Sequence, residues 1–208
     1  MKALEQFGII PIDSATLTTV LNGYKSPNDK ISSMEKSGDL IRLKKGLFIV
    51  SSKVSNQNIS RELVANHLYG PSYVSLESAL SFYGLIPEKV YAVRSVTTRL
   101  SKEYVTPLGN YEYVTVSEDY FPIGIRQEIV NNRYAYLIAT PEKAICDMIA
   151  TTRNLRLRSV RAMQEYIEED LRIDLSSTES FDTGIIRQCI ATGKKEIEFT
   201  QLLKFLDQ

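Results

Sequence analysis

The sequence predicts an α+β protein built in two parts. Three observations carry that reading. Capped stretches with helical spacing of apolar residues recur along the chain, beginning with Leu17, Val20 and Leu21. Short runs rich in β-branched and aromatic residues, 90–97, 111–116 and 133–139, lie between them. The stretch Ser51 to Ser60 is polar, rich in Ser and Asn, and marks a boundary. It divides a head, residues 1–55, from a body, residues 60–208.

Charge follows the same division. Lys+Arg and Asp+Glu are each 25, so the 208-residue chain is formally neutral, which argues against binding polyanions by net charge. The head, however, holds eight Lys/Arg against five Asp/Glu, and the rest holds 17 against 20. A basic head thus sits on an acidic body.

In the head, residues 2–7 suit a short helix ending at Gly8, and Pro11 keeps Ile9 to Ile12 extended. Asp13 or Ser14 can cap a helix through Asn22. Ser26 can cap the next, with Pro27 in its first position and Gly38 closing it. At about 100° per residue, Ile31 and Met34 face inward. Asp29, Ser32, Ser33 and Lys36 face outward, flanked by Asn28 and Lys30. Two apolar runs, 40–43 and 47–50, then enclose Lys44-Lys45-Gly46, which reads as a hairpin with a basic tip and Arg42 beside it.

Three helices followed by a basic-tipped hairpin is the order of a winged helix-turn-helix. The expected interface with DNA is Asn28, Lys30, Ser32, Ser33 and Lys36 on the third helix, with Arg42, Lys44 and Lys45 on the wing. Short polar side chains can reach base edges, while lysines and arginines neutralise phosphates. The same elements also serve as protein-docking modules, in which case the lysines are merely solvated.

The body opens with a helix from Ser60 to Tyr69, carried by Leu63, Val64, His67 and Leu68, with His67 read as a buried or half-buried packing residue. Ser75 caps a helix through Tyr83, and the three β-rich runs follow. Thr140, Pro141 and Glu142 begin a strong helix. The remainder is helical over 158–169, 181–191 and 198–206, so the body is a small sheet with several C-terminal helices.

Catalytic signatures are missing from this sequence. There is no phosphate-cradling glycine loop, no GxSxG and no HExxH. The cysteines Cys146 and Cys189 have no CxxC spacing, and a single histidine excludes a two-histidine metal motif. No catalytic residue, metal ligand or cofactor is expected. Glu118-Asp119 and Glu168-Glu169-Asp170 are adjacent carboxylates that suit a solvated surface. Arg153, Arg156, Arg158 and Arg161 place four guanidinium groups in nine residues, a candidate contact for phosphates or a partner. No stretch approaches the ~20 apolar residues of a membrane span, and the N-terminus lacks the apolar core of a secretory signal, so a cytoplasmic location is expected.

Three local motifs in this order resemble the AbiEi-type antitoxins of type IV toxin–antitoxin (abortive infection) systems. They are Gly38-Asp39-Leu40-Ile41-Arg42-Leu43-Lys44-Lys45-Gly46-Leu47-Phe48; Pro71-Ser72-Tyr73-Val74-Ser75-Leu76-Glu77-Ser78-Ala79-Leu80 followed by Tyr83-Gly84-Leu85; and Ala139-Thr140-Pro141-Glu142-Lys143-Ala144-Ile145-Cys146-Asp147. The resemblance covers nearly the whole chain and is least in the segment from about residue 153 onward. It implies an autorepressor whose winged helix binds inverted repeats in double-stranded promoter DNA. It further implies a C-terminal domain that helps neutralise a nucleotidyltransferase-like toxin encoded beside it, without a stable complex being required. The arginine cluster is the candidate antitoxin surface. The alternatives are a stand-alone winged-helix regulator without a toxin, or a nucleic-acid-directed enzyme such as a nuclease or phosphotransferase.

Overall fold

A computed structural model describes residues 2–88, 90–174, 178 and 181–207. The chain is mixed α+β with two sheets. The head comprises α1 (Lys2–Glu5), β1 (Ile12–Asp13), α2 (Ser14–Val20), α3 (Pro27–Lys36), β2 (Leu40–Lys44) and β3 (Leu47–Val50). Asp13 is the cap of α2, its Oδ1 accepting from the Thr16 amide at 2.8 Å. Ser26 does stand at the start of α3 in extended backbone, with Pro27 next, but its hydroxyl makes no capping bond. Ile31 and Met34 are the buried residues of α3, as their spacing requires.

The strands form an antiparallel sheet in the order β1-β3-β2. Gly46 closes the hairpin at φ +77°, a conformation that side chains with a Cβ rarely adopt. Leu17, Leu21, Ile31, Met34, Leu40, Phe48 and Val50 make the head's core. Leu43 and Ile49 do not join it; they are buried in the core of the body. The hairpin is therefore covered on both sides.

The polar boundary is partly structured. Residues Ser52–Ser55 form the single-turn helix α4, and Val54 packs back against the head's core. Beyond it come α5 (Arg61–Leu68), β4 (Ser72–Val74), α6 (Leu76–Phe82), β5 (Val93–Thr97), β6 (Lys102–Thr106), β7 (Gly109–Thr115), β8 (Ile125–Val130), β9 (Tyr134–Ala139) and α7 (Pro141–Thr151). Then follow α8 (Val160–Glu165), which runs into a π-helical turn over Tyr166–Asp170, α9 (Thr183–Ala191) and α10 (Glu196–Leu206).

The body's sheet is larger than the three strands expected. Six strands lie in the order β6-β7-β5-β4-β9-β8. The pairs β4–β9 and β5–β7 are parallel, and the others are antiparallel. Helix α5 lies against β4, β5 and β9, while α7 packs with α6, α9 and α10. Among the described residues, no helix is long and apolar enough to cross a membrane.

At the centre of the body is an ion pair with no solvent exposure. Lys143 Nζ lies 3.3 Å from Asp147 Oδ1, one turn apart on α7. Asp147 Oδ2 accepts from Tyr73 Oη at 3.0 Å and Ser75 Oγ at 2.6 Å. Lys143 Nζ donates to the Tyr120 carbonyl at 3.0 Å and lies 3.2 Å from the centre of the Tyr120 ring. Ser75 was expected to cap α6 and holds that position, but its hydroxyl serves Asp147 and makes no capping bond. The pair thus joins α7 to the end of β4 and to the segment preceding β8.

Removing one member of such a pair leaves a buried charge without its counter-ion. Asp147→Ala should destabilise the chain by about 3–5 kcal/mol. The double change Lys143→Met with Asp147→Leu should cost less than the sum of the two single changes. Urea unfolding midpoints measure this, and strict additivity would show that the two groups do not interact.

Candidate nucleic-acid interface

The polar face of α3 and the hairpin meet across an open groove of about 260 Å³. Its buried floor is Ile31 and Phe48, side chains of the head's core. Its exposed rim is Ser14 from the start of α2, Asn28 and Ser32 from α3, and Arg42 and Lys45 from the hairpin. Four of the eight residues expected at a DNA interface are therefore brought together: Asn28, Ser32, Arg42 and Lys45. Ser14 was missed, because its place beside the hairpin follows from the β1–β3 pairing rather than from local sequence. Its amide donates to the Gly46 carbonyl at 3.0 Å.

The other four are arranged differently. Ser33 and Lys36 are exposed on α3 outside the groove lining. Lys30 is half-buried, its ammonium 5.1 Å from the centre of the Tyr24 ring beside the α2–α3 connection. Lys44 departs furthest from expectation. Its ammonium donates to the Leu68 carbonyl at 2.5 Å and lies 5.8 Å from the centre of the Tyr104 ring. Burial lowers its pKa, and the nearby charges of Lys102 and Arg99 lower it further. Of the two tip lysines, Lys45 is the exposed one and Lys44 is turned toward the body.

Arg42 is held in place by a neighbour. Its Nε donates to Glu35 Oε1 at 2.8 Å and its Nη2 to Oε2 at 2.5 Å. The guanidinium also lies over the Phe48 ring, 4.6 Å from its centre. This forked contact fixes the direction of the side chain at the groove rim. The hydrogen bonds from Arg42 hold the Glu35 carboxyl below its ordinary value.

The arginine cluster lies in the body between α7 and α8. Arg153, Arg156, Arg158 and Arg161 are all exposed, while Leu157 between them is buried. Arg161 pairs with Glu165 at 3.0 Å, one turn along α8. Among the described residues, no carboxylate lies within 4.0 Å of Arg153, Arg156 or Arg158. His67, in the last turn of α5, keeps an exposed surface, yet partial burial lowers its pKa; the buried residues of that helix are Leu63, Val64, Ala65 and Leu68. Among the described residues, no three His, Cys, Asp or Glu side chains gather to hold a metal. No protein-family model matches the chain, and no curated protein matches it.

Glu35→Gln tests the support of Arg42. The pair lies at the surface and is partly exposed, so its loss should change stability by less than about 1 kcal/mol at neutral pH. Because the carboxyl is lowered in the folded chain, its contribution is present above the ordinary carboxylate range and fades as pH falls through the lowered value. The stability difference between wild type and Glu35→Gln should therefore shrink on acidification. A difference that stays constant in urea titrations down to acidic pH would show that the carboxylate is not what Arg42 binds.

Proposed function

We propose that the chain is a DNA-binding transcriptional autorepressor, with a winged helix-turn-helix in residues 1–55, and an antitoxin acting in the cytoplasm. The order helix, strand, two helices, then a hairpin that completes the sheet supports the winged-helix reading. The observation that carries it is the groove between α3 and the hairpin. There, short polar side chains stand beside two cations at the surface of a packed core. Asn28 and Ser32 suit base edges of a duplex, and Lys45 suits a phosphate, with Arg42 aimed by Glu35. Ser32 already donates to the Asn28 carbonyl at 3.0 Å, which leaves its hydroxyl free to accept.

The DNA target in this reading is an inverted repeat in the chain's own promoter. The toxin it counteracts is a nucleotidyltransferase-like protein encoded next to it. Both assignments rest on the resemblance to AbiEi-type antitoxins.

Fluorescence anisotropy on the promoter duplex, with unrelated duplex as competitor, tests the first half. Ser32→Glu should lower specific affinity at least tenfold, roughly, by placing a carboxylate against phosphates, without unfolding the head. Lys45→Ala should weaken binding to every sequence alike and reduce the salt slope by about 1. Full-length protein that shows no preference for its promoter over random duplex would remove the reading. The second half is tested by growth rescue when the neighbouring toxin is expressed from a foreign promoter. Changing Arg153, Arg156, Arg158 and Arg161 together to Gln should abolish rescue while leaving promoter binding intact. Rescue that survives at matched protein levels would place the neutralising surface elsewhere in the body.

A further inference from the structure

The hairpin tip abuts a second group of cations, contributed by the body. Arg99 lies between β5 and β6, and Lys102 begins β6. Together with Lys44 they surround two tyrosine rings, Tyr69 and Tyr104, whose centres are 5.8 Å apart. The Lys44 ammonium is 5.8 Å from the Tyr104 ring, and the Lys102 ammonium is 5.0 Å from it. Lys102 is also 5.8 Å from the Tyr69 ring, as is the Arg99 guanidinium. Three positive charges are thus collected around a single pair of rings.

Among the described residues, none of the three is held in an ion pair: no carboxylate lies within 4.0 Å of Lys44, Arg99 or Lys102. The ring faces orient the cations and attract them, but they leave the net charge unneutralised. Lys44 is committed to the Leu68 carbonyl, whereas Arg99 and Lys102 are exposed. Of the two residues between them, Leu100 is 83% exposed and Ser101 is exposed as well, so this segment stands out into solvent. In a chain of zero formal charge, such a grouping is a local choice of the fold rather than a by-product of composition.

The form of the patch selects its ligand. It is open and spread over the end of β2, the segment before β6 and the start of β6, and its cations sit on long stems. Such a surface suits a backbone with regularly spaced phosphates, which meets several cations at once. Position selects it further. Lys44 is next to Lys45 in the chain, so the patch continues the hairpin tip.

We propose that Arg99 and Lys102 form a second phosphate-contacting surface, continuous with the wing, that holds the backbone of duplex DNA flanking the site under α3. This rests on the DNA-binding reading given above, and it makes the body a part of the DNA interface.

The test uses the full chain. Promoter affinity is measured by anisotropy over a series of salt concentrations for wild type and for Arg99→Gln with Lys102→Gln. The loss of two phosphate contacts should reduce the salt slope by about 1.8 and weaken binding roughly tenfold or more near physiological salt. Preference for the promoter over random duplex should be retained. The double variant Arg99→Lys with Lys102→Arg should keep the wild-type slope. A charge-matched control, Arg133→Gln with Arg187→Gln, removes two exposed cations elsewhere on the body, Arg133 being at the β8–β9 turn by the other edge of the sheet. It should leave the slope unchanged. An equal fall in the control would mean diffuse charge rather than a contact surface and would overturn the proposal. An unchanged slope and affinity in Arg99→Gln with Lys102→Gln, at an unfolding midpoint equal to wild type, would also overturn it while leaving the α3 interface standing. Wild-type protein that binds no duplex would overturn both.

Discussion

The double burial of the β2–β3 hairpin is the constraint on which the rest of the structure depends. Successive residues of a strand point to opposite faces. Ile49 and Val50 are consecutive, and both have no solvent exposure. That is possible only for a strand covered on both sides. Val50 belongs to the head's core and Ile49 to the body's. The hairpin is thus a shared wall, and its tip cannot turn independently of either part. This explains why Lys44 reaches the Leu68 carbonyl at the end of α5. It also means that the head, cut away from the body, would expose Leu43 and Ile49 to water. The two units that charge and composition separate are joined by apolar packing.

The body is organised in turn by the pair Lys143 and Asp147. A buried ion pair is weak evidence for net stability, because desolvation opposes the attraction. What it does supply is direction. Asp147 accepts from Tyr73 and Ser75 at the end of β4, and Lys143 donates to the Tyr120 carbonyl. An apolar helix face could slide against these segments at little cost, but these bonds admit one registration of α7. The central strand β4 is only Ser72–Val74 and pairs with both β5 and β9, so a fixed seat for it matters to the whole sheet.

Much of this was legible in the sequence where the signal is local. Asp13 and Thr140 accept from backbone amides at the starts of their helices, as capping chemistry requires. The inward positions of α3 followed from spacing. The strands that were missed lack a local signal. Strand β4 is too short to show alternation, and Gly70-Pro71 before it reads as a break. Strands β6 and β8 are the edges of the sheet and carry Lys102, Glu103, Arg126 and Glu128. Charged edges protect a sheet from further pairing and also disguise it. The ion pair did leave a trace, an aspartate inside the otherwise apolar Ala144–Ala150 stretch with a lysine four positions before it, at the border of that stretch. The fate of Lys44 left none, because its partner is 24 positions away.

These constraints bear on how a neutral chain could hold DNA in the proposed role. Affinity for a duplex depends on which cations are free to meet phosphates, not on their total. Arg42 is held by Glu35 and Lys44 by a carbonyl, so each serves first to position a segment. Lys45 lies exposed at the tip that these contacts hold still, and Arg99 and Lys102 are exposed beside it. Side chains that reach base edges need a fixed register on the backbone, because phosphate contacts set position while base contacts set sequence. A wing fastened to the body supplies that register. A free-standing head with the same eight lysines and arginines would not, even though its net charge is higher than that of the full chain.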